Sequence, residues 1–176
     1  MPTIRLAKMS DIPVIQRIER DTGVLFRGVG MDFVADDPPP PEKLLGEEIS
    51  SGRVFVSVDG DESEPRGWLW LREADENLHI EQVSSDPRFR GQGIGTSLVR
   101  FGLRLARSSG YAGVTLTTYR DVPWNAPLYS ALGFVELPRH AWGPELRAIR
   151  EHEAEVGLDT APRMAMIHPT TSGPPA

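Results

Sequence analysis

Val83-Ser84-Ser85-Asp86-Pro87-Arg88-Phe89-Arg90-Gly91-Gln92-Gly93-Ile94-Gly95-Thr96 joins the end of a strand to the start of a helix through a glycine-rich turn. The first turn of a helix leaves backbone N–H groups without intrahelical partners and carries partial positive charge. Glycines let the chain curl there with no Cβ atoms in the way. Together these features make a cradle for phosphate oxygens. Arg88 and Arg90 add positive charge, so the turn suits a phosphate-bearing ligand. A triphosphate loop would end in Gly-Lys-Ser/Thr, but this one ends in Gly95-Thr96 with no lysine. A dinucleotide turn beginning at Gly91 would need a glycine where Thr96 stands. Both spacings fail, and spacing alone leaves open a helix start that binds nothing.

Upstream, Asn77–Ser85, Gly67–Arg72 and Arg53–Asp59 read as three successive strands rich in β-formers, which predicts an antiparallel meander. Ile4–Lys8 reads as a first strand. A helix follows it with Ser10 or Asp11 at its cap, Pro13 in its first turn and Ile12, Ile15 and Ile18 on one face. Residues 24 to 41, with Pro38 to Pro41, read as a loop over a pocket, and Glu42–Ser50 as a short helix. Downstream, Ile94, Leu98, Phe101 and Leu105 repeat at helical spacing. Val114–Tyr119 reads as a strand. Trp124–Ala131 reads as a short helix closed by Gly133 in a left-handed cap. Phe134–Leu137 is a further strand, Pro144–Val156 a charged and largely solvent-facing helix, and Arg163–His168 the last strand. The expected organisation is one domain over 1–168 with a flexible tail over 169–176.

The 176 residues suffice for a domain with a real core. The formal charge of -6, from 19 basic and 25 acidic residues, argues against nucleic acid as a partner. With no cysteine, a disulfide framework, a thiolate metal site and a cysteine acyl-enzyme are all excluded. No run reaches membrane-spanning length and the N-terminus has no signal-peptide core, so the expectation is a cytoplasmic protein with no membrane partner.

The stretch Val83 to Gly95 resembles the acetyl-CoA motif of the GNAT superfamily of N-acetyltransferases, Gln/Arg-x-x-Gly-x-Gly/Ala, matched by Arg90, Gly93 and Gly95. Asn125-Ala126-Pro127-Leu128-Tyr129-Ser130-Ala131-Leu132-Gly133-Phe134 resembles the family's second CoA-side segment. Ile4 to Pro13 resembles its first strand and helix. The resemblance spans roughly Thr3 to Phe134, with Arg163–His168 placed as the final strand. It implies an α/β (α+β) fold with a mixed, mostly antiparallel central sheet flanked by helices. It also implies an acetyl-CoA-dependent amine N-acetyltransferase.

By that resemblance, backbone N–H groups from Arg88 through Arg90, Gly91, Gln92, Gly93, Ile94 and Gly95 to Thr96 bind the pyrophosphate of acetyl-CoA, the glycines most clearly. Val83 and Ser85 match the strand end that pairs with the pantetheine arm. Tyr129 matches the tyrosine that protonates the leaving thiolate, and a phenol of ordinary pKa near ~10 can serve. Val122 stands where many members place asparagine. Asn125, four residues before Tyr129, either faces the CoA arm or caps its helix. An aliphatic ammonium must lose a proton before attack. Glu81 is the first candidate base, and His79, two residues away on the same strand face, is the alternative. Direct transfer in a ternary complex is favoured over an acyl-enzyme.

Phe26, Arg27, His79, Tyr119 and Trp124 are candidates for contact with the acceptor, with Met31, Phe33 and Trp142 also considered. Glu19, Asp36 and Asp37 could attract a cationic amine or could be solvated loop charges. The acceptor is left open among a small amine, an amino acid and a peptide N-terminus. A non-catalytic acyl-CoA-binding module is the competing reading. An exposed strand edge or the Pro144–Val156 helix leaves room for a homodimer.

Overall fold

Strand β1 (Thr3–Leu6) lies antiparallel to β2 (Val54–Val58), and β2 lies antiparallel to β3 (Gly67–Ala74), with Val56 opposite Trp68. This computed structural model describes residues 2–60 and 63–170. They group into two compact units, one within Met1–Leu71 and Gln82–Phe101, the other within Arg72–Glu81 and Gly102–Ala176. Strand β4 (Asn77–Ser85), like β3, contributes residues to both. With β5 (Gly113–Tyr119), β6 (Val135–Glu136) and β7 (Arg163–Pro169), the strands hydrogen-bond in the order β1-β2-β3-β4-β5-β7-β6.

In the first unit, helix α1 (Ile12–Gly23) and helix α3 (Glu42–Ser50) cover one face of the strands. The period-2 run Val54, Val56 and Val58 meets the helical stripe Ile12, Ile15 and Ile18, with Leu45 and Trp68 completing the core. Each fully buried aliphatic side chain there stabilises by roughly 1.5–3 kcal/mol relative to exposure. On the opposite strand face, Phe55 packs on Phe101 with ring centroids 4.9 Å apart. Gly67 admits helix α4 (Ile94–Ser108) at close range. A Cβ at this position would lie 2.7 Å from Ile94 Cγ2 and 2.9 Å from the Ser84 carbonyl. Only glycine therefore lets the start of α4 sit against β3.

The stretch 24–41, read from sequence as a loop, is mostly helical. A 3-10 turn spans Val24–Val29 and a single α-helical turn, α2, spans Asp32–Ala35, leaving 30–31 and 36–41 without regular structure beyond a turn. Gly30, left-handed at φ 75°, closes the 3-10 turn, and the Met31 N–H reaches back to the Phe26 carbonyl at 3.0 Å.

In the second unit, β4 runs parallel to β5, His79 facing Thr115, and the registered pairs end at Ile80 with Leu116. Strand β7 is antiparallel to β5 along its whole length and to β6 at Val135 and Glu136. Helix α5 (Ala126–Ala131) starts later than the sequence suggested. Helix α6 (Pro144–Glu155) is capped from a distance. The Asp75 carboxylate accepts the Glu145 N–H at 3.0 Å and the Leu146 N–H at 3.2 Å, while the Asp75 N–H donates to the Glu145 carboxylate. Asp75 holds φ 56°, a conformation aspartate tolerates better than most residues. Strand β7 continues to Pro169, and Thr170 is buried with its hydroxyl donating to the Tyr111 and Ala112 carbonyls. Residues 171–176 of the expected tail lie outside the described residues. No helix among the described residues is long and apolar enough to cross a membrane.

Candidate active site

The turn after β4 is held by a buried carboxylate. Asp86 is fully buried and accepts the Arg88 N–H at 2.9 Å and the Arg88 guanidinium, Nη2 lying 2.7 Å from Oδ2. Burial pushes the Asp86 carboxyl up, but the Arg88 hydrogen bonds outweigh it and hold the group below the ordinary aspartate range. The Arg88 guanidinium also reaches Glu64 at 3.1 Å, and Arg17 lies 3.4 Å from Asp86 Oδ2. Arg88, expected to present its N–H and its charge to a ligand, has both engaged inside the turn. Arg90 is exposed, but its N–H donates to the Pro87 carbonyl at 3.2 Å, as the Gln92 N–H does to Phe89 at 3.3 Å. The open donors are thereby narrowed.

Gly91 at φ 81° and Gly93 at φ 72° take the left-handed conformation, and a Cβ at either would meet nothing within 4 Å. The backbone, rather than crowding, requires glycine there, and the space before both is open. The Ser97 N–H bonds the Gly93 carbonyl at 2.9 Å. By helix geometry, the Gly93, Ile94, Gly95 and Thr96 N–H groups precede the α4 ladder and face outward without a partner in it. Ile94 is buried and anchors the turn, whereas Gly95 keeps an ordinary φ with its Cβ position 3.8 Å from Ser85 Oγ. Val83 and Ser85 are half-buried, and the Ser85 carbonyl accepts from Thr22 Oγ1 at 3.4 Å.

Around α5, the Asn125 side chain makes no helix cap. Its Oδ1 accepts from Thr118 Oγ1 at 2.7 Å and from the Tyr119 N–H at 3.4 Å, which ties the start of α5 to β5. The Tyr129 ring packs edge-on against Phe134 at 5.8 Å, and Phe134 against His168 at 5.4 Å. Gly133, at φ 95°, closes α5 as expected. Burial pushes the Tyr129 phenol up to about 12, so it holds its proton throughout the physiological range.

Glu81 is half-buried on β4, with one carboxylate oxygen 3.5 Å from Arg72 Nη1. His79, the alternative base and a candidate acceptor contact, is only 1% exposed. Its Nδ1 lies 2.9 Å from Thr115 Oγ1, and burial pulls its imidazole down to about 4. The imidazole is therefore neutral and locked between two strands, not presented to an acceptor.

Tyr119, another candidate contact, is a core residue. It is 3% exposed, its hydroxyl donates to the Leu158 carbonyl at 2.8 Å, and the Arg163 guanidinium lies 4.5 Å from its ring centroid. A tyrosine at the end of an alternating strand does not reveal which face a later helix will cover. Phe26 and Trp124 are half-buried. Arg27 is exposed and paired with Asp36 and, at 3.8 Å, with Asp32, so Asp36 is engaged rather than free for a cation.

Sequence reasoning passed over one arrangement. Glu19, read from sequence as an attractant for a cationic amine or a solvated charge, accepts the Trp68 indole N–H at 2.7 Å and the Gln82 amide at 3.0 Å. Two signals pointed there. Glu19 follows Ile15 by one helical turn on the buried stripe, and a buried tryptophan N–H demands an acceptor.

The sequence profile of the acetyltransferase (GNAT) family matches residues 25–134, and the chain belongs to that family. A mycothiol acetyltransferase of Corynebacterium efficiens is 35% identical over 88 residues, which is 49% of this chain and 29% of that relative. The chain thus matches less than a third of that curated relative's length. The fold resembles the ribosomal-protein-S18-alanine N-acetyltransferase of Escherichia coli, with TM-score 0.66 and 18% identity, covering 99% of this chain and 97% of the other. It also resembles N-acetylglutamate synthase of Neisseria gonorrhoeae, complexed with coenzyme A and N-acetyl-glutamate, with TM-score 0.72 and 16% identity, covering 98% of this chain and 36% of the other.

Proposed function

We propose that this chain is an acetyl-CoA-dependent N-acetyltransferase that moves an acetyl group directly to a primary amine. The observation that carries the reading is the opening of α4, where the Gly93 to Thr96 N–H groups stand ahead of the helical ladder beside glycines that leave the space open. That cradle fits a pyrophosphate, and it lies within the segment matched to the family. The acetyl-CoA thioester would supply an activated acyl group. The chain's residues then have three tasks.

The main chain of Val83 and Ser85 pairs with the pantetheine arm, while the glycine turn holds the phosphates. Glu81 receives the proton of the attacking amine, directly or through water. Tyr129 donates a hydrogen bond to sulfur as the carbon–sulfur bond breaks. A thiolate of ordinary basicity, near ~8.5 for a cysteine thiol, is a weaker base than a phenolate at about 12. Full proton transfer from Tyr129 is therefore uphill, and the proton that Glu81 has taken from the amine passes through solvent to the thiolate. The acceptor is a small amine, an amino acid or a peptide N-terminus.

The test is release of free thiol from acetyl-CoA across a panel of amines, amino acids and peptides, with thermal stabilisation by CoA measured alongside. Acceptor-dependent thiol release and a rise in Tm with CoA, but not with ATP or NAD, are expected. No shift in Tm at millimolar CoA would sink the CoA site. A shift without turnover on any amine would instead favour a binding module.

A further inference from the structure

Three polar side chains of α1 converge on the end of β4 and the turn beyond it. Arg17 Nη2 lies 3.4 Å from Asp86 Oδ2, Glu19 Oε2 accepts the Gln82 amide at 3.0 Å, and Thr22 Oγ1 donates to the Ser85 carbonyl at 3.4 Å. Glu19 and Thr22, three residues apart, lie on one side of the helix by its period, and Arg17 stands on another. Glu19 is the centre of the set. Its second oxygen accepts the indole N–H of fully buried Trp68 at 2.7 Å, and the Gln82 amide is also 3.3 Å from Ser84 Oγ.

Gln82 and Ser84 alternate along β4 with Val83 and Ser85, so the carboxylate grips the side chains of one strand face while the main chain of 82–85 stays extended. Burial raises the Glu19 carboxyl above the ordinary range, and the bonds from Ser84, Trp68 and Gln82 pull against that shift. A half-buried acid that burial works against is costly to keep unless its position matters to something else.

We propose that Glu19 is a positioning residue for the coenzyme site: by holding Trp68 and Gln82 together it fixes the β4 end whose main chain receives the pantetheine arm. This rests on the proposed CoA site and adds to it a residue outside the glycine motif, on helix α1. It differs from a purely stabilising role, in which Glu19 would serve only to satisfy the Trp68 N–H. A carboxylate that bonds a tryptophan away from the β4 end stands on α3, where Glu48 accepts the Trp70 indole N–H at 2.9 Å and the Arg53 guanidinium at 2.6 and 2.8 Å. The pair Trp70–Glu48 therefore supplies the control.

Glu19→Gln and Glu48→Gln are compared by calorimetric titration with CoA, by Tm without ligand, and by the KM for acetyl-CoA against kcat. Glu19→Gln is expected to weaken CoA binding about tenfold, the order of one charge-assisted hydrogen bond, with KM for acetyl-CoA rising and kcat little changed. Glu48→Gln should lower Tm comparably and leave CoA affinity as it was. The exchanged pair Glu19→Gln with Gln82→Glu restores a donor facing an acceptor and should recover most of the lost affinity. Unchanged CoA affinity in Glu19→Gln, or equal losses in both single variants, overturns the inference while leaving the CoA site standing. Failure of the wild-type protein to bind CoA overturns both.

Discussion

The glycine turn and the surroundings of Tyr129 solve opposite problems. At the turn, side chains look inward to brace the backbone, and the backbone is what faces outward: Arg88 folds onto Asp86, while the N–H groups from Gly93 to Thr96 stand clear. Around α5 the backbone is satisfied internally and one side chain is the candidate for chemistry, a phenol that burial pushes up to about 12. A site made of main chain tolerates side-chain change wherever the dihedral angles allow it. A site made of one side chain tolerates none.

The largest effect expected from this contrast falls on Tyr129. Tyr129→Phe should reduce kcat by roughly 10²- to 10³-fold, with CoA affinity within about twofold of wild type. An unchanged kcat would remove the phenol from the mechanism and make α5 as tolerant as the turn.

The second effect is thermodynamic. His79 is buried with its pKa lowered to about 4, so the unfolded chain binds the extra proton between that value and about 6.5. Its stabilising contribution is complete above about pH 6.5 and is lost as pH falls toward 4, by about 3 kcal/mol. Urea denaturation from pH 7 to pH 4 should show this loss, and His79→Asn should flatten it. A slope that persists in the variant would assign the acid lability to other groups.

The turn itself provides an internal comparison. Gly93→Ala imposes a left-handed conformation on an L-residue at a cost of roughly 1–2 kcal/mol, and should distort the cradle enough to weaken CoA binding. Gly95→Ala, in an ordinary helical conformation with its Cβ 3.8 Å from Ser85 Oγ, should leave Tm equal or higher. Equal losses at both positions would mean that side-chain volume, not backbone angle, governs the site. The smallest effect belongs to Asp75→Ala. It removes the cap of α6 at a cost of about 1 kcal/mol, read as a lower Tm, with thiol release unchanged.

Much of the frame was legible in one dimension because local rules suffice for it. The β4 boundaries at Asn77 and Ser85, the α3 boundaries at Glu42 and Ser50 and the left-handed Gly133 follow from β-propensity, helical period and the absence of a Cβ. The glycine spacing similarly pointed to a phosphate cradle and argued against two common ligands. The acceptor side was less legible. Tyr119 and His79 looked available because alternation along a strand tells which residues share a face, but not what lies over that face. Leu158 and Thr115, far away in sequence, turned both inward.

What the sequence alone determined is the strand, the glycine turn and the helix that follows, with Tyr129 beside its closing glycine, because backbone conformation and helix-end polarity are local properties. What only the tertiary structure decided is how charges and polar groups pair over long separations. Glu19 lies with Trp68 and Gln82, Arg17 lies near Asp86, and Asp75 caps a helix seventy residues away. Those pairings depend on which desolvated donors and acceptors packing leaves in reach of one another, and no local pattern encodes that.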